Sequence, residues 1–208
     1  MNIDVVIDVV CPWCFVGKRQ LDEALKMRPG KVTGVRYRPY QLSPETPVEG
    51  VDRNAYYAKK FGNSPKFQAA RQHLRDMGAS LGIKFDFESE CRIANTLDAH
   101  RLLRWALGAG AQDAVAEGLM RRYFEESKFI GDHALLREVA EEAGMDGALV
   151  ADLLSSDADV DTVQQDIDGA RRMGVQGVPL FIFDGKSALS GAQGADAIAA
   201  AIDKISMS

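Results

Sequence analysis

Hydrophobic residues alternate from the start of the chain. Ile3, Val5, Ile7 and Val9 fall on one side of an extended segment, and Asp4, Val6, Asp8 and Val10 on the other. β-Branched residues dominate, as in a mostly buried strand over 3–10. At Pro12 the period becomes helical, runs through Leu21 and Leu25, and stops before Pro29-Gly30. A second strand fits 31–40, where Val35 and Tyr37 alternate with Arg36 and Arg38 and Pro39 marks an end or irregular edge. Strand, helix and strand this close together predict a right-handed βαβ unit with parallel strands.

The stretch 41–50 is rich in Ser, Pro, Glu and Gly and reads as a linker. Beyond it the pattern is helical for more than a hundred residues. Helices are predicted over 52–61 with Asp52 as cap, from Ser64-Pro65 to Leu81, and from Asn95, with Asp98 three residues on, to Leu107. Four more fit 112–127, 132–143, 146–154 and 157–173, and Gly174 ends the last. The apolar run after Pro179 is a strand, Asp184-Gly185 signals a two-residue hairpin, and 186–189 is the returning strand. Ala195, Ile198, Ala199, Ile202 and Ile205 then keep helical spacing over 193–205. The chain reads βαβ, a long helical insertion, then ββα. The two flanking pieces are each too short for a core of their own. Together they predict an α/β fold: a four-stranded mixed sheet covered by helices on both faces. Its discontinuous domain takes 1–45 and 174–208, and an all-α domain takes 46–173.

Composition changes this picture little. Apolar content of 46% and charged content of 26% are ordinary for a globular chain of 208 residues. The net charge, 25 − 30 = −5, argues against nucleic acid as a partner. No apolar run reaches membrane-spanning length, and the N-terminus has no basic region before its apolar stretch. No membrane association and a cytoplasmic location are therefore expected.

Chemistry concentrates at Cys11-Pro12-Trp13-Cys14, between the first strand and the first helix. Three cysteines are too few for a disulfide scaffold, and a CxxC in this setting reads as a redox pair. Cys11 falls at the helix N-cap and Pro12 at the first helical position, where a missing N–H costs nothing. Helix N–H groups favour a thiolate there, so Cys11 is expected to be the exposed attacking thiol. Cys14, one turn inside, would resolve the mixed disulfide. Pro12 and Trp13 would tune the potential, and Trp13 would offer substrate an apolar contact. Asp8 would either receive a proton near the thiols or cap backbone amides at the strand end. The competing reading of the cysteine pair is a zinc half-site completed from Cys91, His73, His100 and His133. There is no second CxxC and no local His pairing, so no metal is expected. Cys91 reads as a small buried hydrophobe, and Arg71, Arg75, Arg101 and Arg104 as solvated helix faces.

Particular stretches resemble the thioredoxin superfamily, and within it the DsbA-like, FrnE-type branch in which a helical domain interrupts the thioredoxin fold. They are Asp8-Val-Val-Cys11-Pro-Trp-Cys14-Phe-Val-Gly17-Lys, Arg38-Pro39-Tyr40-Gln41-Leu42, Asn95-Thr-Leu-Asp-Ala-His100-Arg-Leu, Gly174-Val-Gln-Gly177-Val178-Pro179 and Ser190-Gly-Ala-Gln193. The resemblance implies a thiol–disulfide oxidoreductase or isomerase acting on protein or small-molecule thiols and disulfides. It implies a cis Val178–Pro179 bond against the CxxC, which would leave the Val178 backbone able to pair with an extended substrate. It also places His100 and Asn95 toward the cleft between the domains and implies a homodimer. No bound cofactor is expected, and glutathione is the candidate redox partner. The same architecture hosts kappa-type glutathione transferases and 2-hydroxychromene-2-carboxylate isomerases. Those generally carry serine at the position of Cys11. A non-catalytic, chaperone-like binding module is a third reading.

Overall fold

The computed structural model describes residues 1–62 and 64–206. The chain divides into two compact units, one of Met1–Leu42 with Asp161–Ser208 and one of Ser43–Val160.

In the first unit, β1 (Asn2–Ile7) leads to α1 (Pro12–Met27) and β2 (Gly34–Pro39). After the second unit come α8 (Val160–Arg172), β5 (Leu180–Phe183), β6 (Ser187–Ser190) and α9 (Ala195–Ser206). The strands order β2-β1-β5-β6, with β1 parallel to β2 and antiparallel to β5. The registers Val5↔Tyr37 and Val5↔Phe181 put Ile3, Val5, Ile7, Phe181 and Phe183 on one buried face. Helices α1 and α9 pack together, and both lie on this face: α9 contacts β5, and Gly17 of α1 meets Phe181. On the other face Val6, Leu180 and Ile182 pack with Tyr40, Ala170, Val175 and Val178.

Several boundaries differ from the sequence pattern. Strand β1 ends at Ile7, because Val9 and Val10 form a turn in which the Cys11 N–H donates to the Asp8 carbonyl (3.0 Å). Helix α8 belongs with the sheet, so the second boundary lies at 160/161 and not at 173. The cause is packing: Ala170 joins Val6 in the core, and Arg171 donates to the Gln41 carbonyl (2.8 Å). The hairpin loop has three residues, since Phe183 pairs with Ser187 and the Lys186 N–H donates to the Phe183 carbonyl. Asp184 and Gly185 both take positive φ there (48° and 67°), the backbone that a Asp-Gly pair accommodates best.

The second unit carries a two-stranded ribbon, β3 (Val51–Asp52) and β4 (Arg92–Ile93), and helices α2 (Arg53–Phe61), α3 (Pro65–Ser80), α4 (Leu97–Gly108), α5 (Gln112–Phe124), α6 (His133–Glu142) and α7 (Gly147–Leu154). Asp52, Ser64, Asp132 and Asp146 each accept a backbone N–H at a helix start, as N-caps do. The Asn95 expectation shifts: α4 begins at Leu97, and the Asn95 side chain accepts from the Leu97 N–H (3.1 Å) while donating to the Thr46 carbonyl (2.8 Å). Arg101 is not solvated. It is 2% exposed and donates to the carbonyls of Leu153, Ser156 and Ala158, with Asp98 as its counter-ion. Arg104 pairs with Asp159 at 3.0 Å. Among the described residues, no helix is long and apolar enough to cross a membrane.

Helix α1 is anchored at its far end by Asp203 of α9, which accepts from Arg28 (2.7 Å) and Lys31. The Arg28 hydrogen bond first, and then that of Lys31, hold the Asp203 carboxyl down to about 2. A carboxyl depressed on folding stabilises the fold above its ordinary value of about 3.9, and that contribution disappears as pH falls through the folded value. Asp203→Asn should therefore melt at lower temperature than the native chain at pH 7. Thermal denaturation across pH should show the deficit shrinking between about pH 4 and pH 2, and a deficit constant over that range would contradict this account.

Candidate active site

The turn from β1 into α1 sets the site. Asp8 closes the strand, Cys11 takes an extended conformation (φ −91°, ψ 113°) at the N-cap, and Pro12 opens the helix. The Cys11 carbonyl accepts from the N–H groups of Cys14 (3.0 Å) and Phe15 (3.3 Å), so the two cysteines lie one helical turn apart. Both are thiols. Trp13 and Pro12 are half-buried beside them.

The opposite wall comes from the far end of the chain. The Val178–Pro179 peptide bond is cis, and the Cys11 thiol donates to the Val178 carbonyl at 3.6 Å. Pro179 rests against α1 at Gly17, where a Cβ would sit 2.8 Å from Pro179 Cγ and 3.2 Å from Phe181 Cζ. A glycine inside a helix costs about 0.8–1 kcal/mol relative to alanine; here the close approach of Pro179 explains it. In the sequence Gly17 stands out only as part of the stretch that carries the family resemblance, although a glycine in an otherwise regular helix is itself a signal of close packing.

This wall changes one expectation. Cys11 is 4% exposed, not the open thiol that its N-cap position suggested, because the Val178 carbonyl faces its sulfur. Cys14 is fully buried. Burial most of all, then the Cys11 sulfur hydrogen-bonded to it, pushes the Cys14 thiol well above its ordinary value. A hydrogen bond from the Asp8 backbone opposes this, and the negative charge of Asp8 adds to it. Asp8 is itself 1% exposed, and its carboxylate accepts from the Leu42 N–H (2.8 Å). Asp8 thus caps a backbone amide and also stands next to the buried thiol. Leu42, the residue that holds it, lies 34 positions away and carried no visible signal.

Other candidates lie in the second unit. His100 is 2% exposed within α4, and Asn95 ties the turn before α4 to Thr46. Cys91 is buried, with its sulfur near the Arg92 and Lys128 carbonyls, and burial raises its thiol pKa. His133 is bonded to Asp98 at 2.7 Å.

A dithiol at the mouth of the first helix, walled by a cis proline on a β2-β1-β5-β6 sheet, defines the thioredoxin-like class. Residues 2–203 match the family described as the DSBA-like thioredoxin domain, and the chain belongs to that family. Its members are thiol–disulfide oxidoreductases or isomerases. The chain is similar to a probable DsbA oxidoreductase from Streptomyces coelicolor, with 30% identity, a TM-score of 0.87, and coverage of 98% of this chain and 89% of that one. It shares its fold with a 2-hydroxychromene-2-carboxylate isomerase at 17% identity and a TM-score of 0.74, covering 99% and 96% of the two chains. It also shares its fold with the cytosolic disulfide reductase DsbM of Pseudomonas aeruginosa, solved with GSH, at 16% identity and a TM-score of 0.69, covering 99% and 98%.

Gly17→Ala tests the wall. Neither Pro179 nor buried Phe181 is the end of a flexible chain, so the added methyl must separate α1 from β5. Overpacking of this kind costs about 1–3 kcal/mol, and denaturant titration should register it. Alkylation of Cys11 should also become faster, since its cover has moved. A variant as stable as the native chain would show that the contact is soft.

Proposed function

We propose that this protein is a cytoplasmic thiol–disulfide oxidoreductase acting through a mixed disulfide at Cys11. The observation that carries the reading is the pairing of two unlike sulfurs. Cys11 lies at a helix N-terminus against the Val178 carbonyl, and Cys14 lies fully buried behind it beside Asp8.

In the reducing direction the Cys11 thiolate attacks one sulfur of a substrate disulfide. A Cys11–substrate disulfide forms, and the other substrate sulfur leaves as a thiolate. The helix N-terminus favours the attacking anion. Substrate displaces the Cys11 contact with the Val178 carbonyl, and an extended substrate backbone pairs there as a short added strand. Trp13 gives it an apolar neighbour. Cys14 must then lose its proton, which its raised pKa opposes. The Asp8 carboxylate receives that proton. The Cys14 thiolate attacks Cys11, closing the Cys11–Cys14 disulfide and releasing the second substrate thiolate. Two molecules of glutathione restore the dithiol and leave as glutathione disulfide. Run backwards, the same steps oxidise a substrate dithiol, so the direction follows the potential of the pair against the glutathione pool. The likeness in fold to a reductase solved with GSH supports glutathione as the redox partner.

The test is thiol trapping and mass spectrometry after incubation with a disulfide-bonded protein. Cys14→Ser should accumulate a covalent adduct at Cys11, and Cys11→Ser should form none. Asp8→Asn should still form the adduct but resolve it about a hundredfold or more slowly, the usual scale for a lost acid–base group. The deficit should narrow as pH rises, when hydroxide can take the Cys14 proton. Full turnover by Cys14→Ser on a small aromatic isomerisation substrate, with no adduct, would support the isomerase reading instead. Failure to form any Cys11–Cys14 disulfide across glutathione redox buffers would refute the dithiol cycle.

A further inference from the structure

The two faces of the sheet are covered unequally. On one face, under α1 and α9, the side chains of Ile3, Val5, Ile7, Phe181 and Phe183 are all buried. On the other face α8 sets Ala170 against Val6, but Leu180 and Ile182 stay half-buried and Ala188 of β6 is exposed. A groove of about 620 Å³ lies between α8 and this part of the sheet, a volume in the range of small-molecule sites. Every residue lining it belongs to the first unit.

The apolar part of the lining is aliphatic and holds no aromatic ring: Val6, Leu180, Ile182 and Ala188 come from the sheet, and Ala170 and Met173 from the helix side. Met173 is 70% exposed at the end of α8, and its flexible thioether suits an adaptable lip. Gly169 stands in the helix wall. Glycine weakens a helix relative to alanine, and here, unlike at Gly17, no neighbour requires it. An added Cβ would meet only Arg172 Nη2, at 3.8 Å. The missing side chain leaves the groove open. Charge in the lining does not cancel. Its two carboxylates are Asp4 and Asp166. Arg36 clasps Asp4 (2.8 and 3.0 Å), and that hydrogen bond first, then the charges of Asp4 and Asp166, raise the Arg36 pKa. Arg38 also reaches Asp4, at 3.7 Å. Two guanidinium groups thus balance two carboxylates. Lys186, exposed in the hairpin at the groove's end, is left over and forms no ion pair among the described residues.

We propose that this groove binds an aliphatic carboxylate. The alkyl chain lies on Leu180, Ile182 and Ala188 beside Gly169, and the carboxylate meets Lys186. The aliphatic floor selects a flexible hydrocarbon chain over a stacked ring, and the one unmatched charge selects an anion over a cation. An exposed ion pair alone holds a ligand weakly. Burial of the chain therefore supplies most of the affinity, and Lys186 sets sign and orientation. This inference does not rest on the dithiol reading.

Equilibrium dialysis with radiolabelled decanoate, below its micelle concentration, tests it. The native chain should show saturable binding at a single site. Gly169→Leu fills the groove and should weaken binding about tenfold or more, the loss expected when several methylenes stay in water. Leucine is the better helix former and the position is open, so this variant should melt no lower than the native chain, which separates a lost groove from a lost fold. Ala188→Glu, on the exposed strand, places a carboxylate in the floor and should abolish binding independently. Lys186→Glu should weaken it about fivefold or more. Unlabelled decyltrimethylammonium, with the same chain and the opposite charge, should displace decanoate poorly. A native chain with no saturable binding overturns the proposal. So does binding that neither Gly169→Leu nor Ala188→Glu weakens, which would place the ligand elsewhere. Displacement by decyltrimethylammonium as efficient as by decanoate also overturns it, by removing the role of Lys186.

Discussion

The contact on which the rest of the first unit depends is the approach of Pro179 to α1 at Gly17. It joins the two ends of a chain whose middle folds elsewhere. Strand β1 lies between β2, from its own end of the sequence, and β5, from the other. The register Val5↔Phe181 brings Pro179 level with the start of α1 only if a helix residue there has no side chain. A methyl at that point would meet Pro179 Cγ at 2.8 Å. The closeness of the two walls then decides how much of the dithiol is open. The Val178 carbonyl faces Cys11, and Cys14 has no outlet of its own.

Burying a thiol beside a carboxylate creates two requirements that oppose each other. The Asp8 carboxylate must keep hydrogen-bond partners to remain in the interior, since an unpaired buried charge is far too costly. In the proposed cycle it must also take a proton. The Leu42 N–H meets the first requirement by donating to one carboxylate oxygen, and a carboxylate has more than one acceptor site to offer. The same negative charge raises the Cys14 pKa, as burial and the Cys11 sulfur do. A sulfur so placed holds its proton more tightly than a solvated thiol, which suits the proposed resolving step, one that follows substrate capture.

Local chemistry was legible in the sequence; long-range chemistry was not. The CxxC, the N1 proline, the Asp52 cap and the order βαβ–helices–ββα all rest on residues close in the chain, and each is found in the structure. The β3–β4 ribbon has two residues per strand, too few to show a period. The place of α8 with the sheet depends on Ala170 meeting Val6, a contact across most of the chain. Arg101 looked solvated because arginine on a helix usually is; only the fold brings the Leu153, Ser156 and Ala158 carbonyls to it. The exposure of Cys11 was misjudged for a like reason, since its cover comes from 167 residues away. Pro179 entered the sequence reading by resemblance to a family and not by any rule of periodicity.

That separation has a consequence during synthesis. Cys11 is synthesised 167 residues before Val178, on a strand whose β5 neighbour does not yet exist. Until residues 178–183 emerge, β1 has an unpaired edge and the dithiol has no wall. The growing chain therefore carries an uncovered thiol pair throughout the making of the helical unit, and only the segment from Val178 onward converts those thiols into a shielded site. A compartment that keeps thiols reduced protects the half-made protein from bridging to Cys91, the third cysteine, which arrives midway and is itself buried once the second unit has folded.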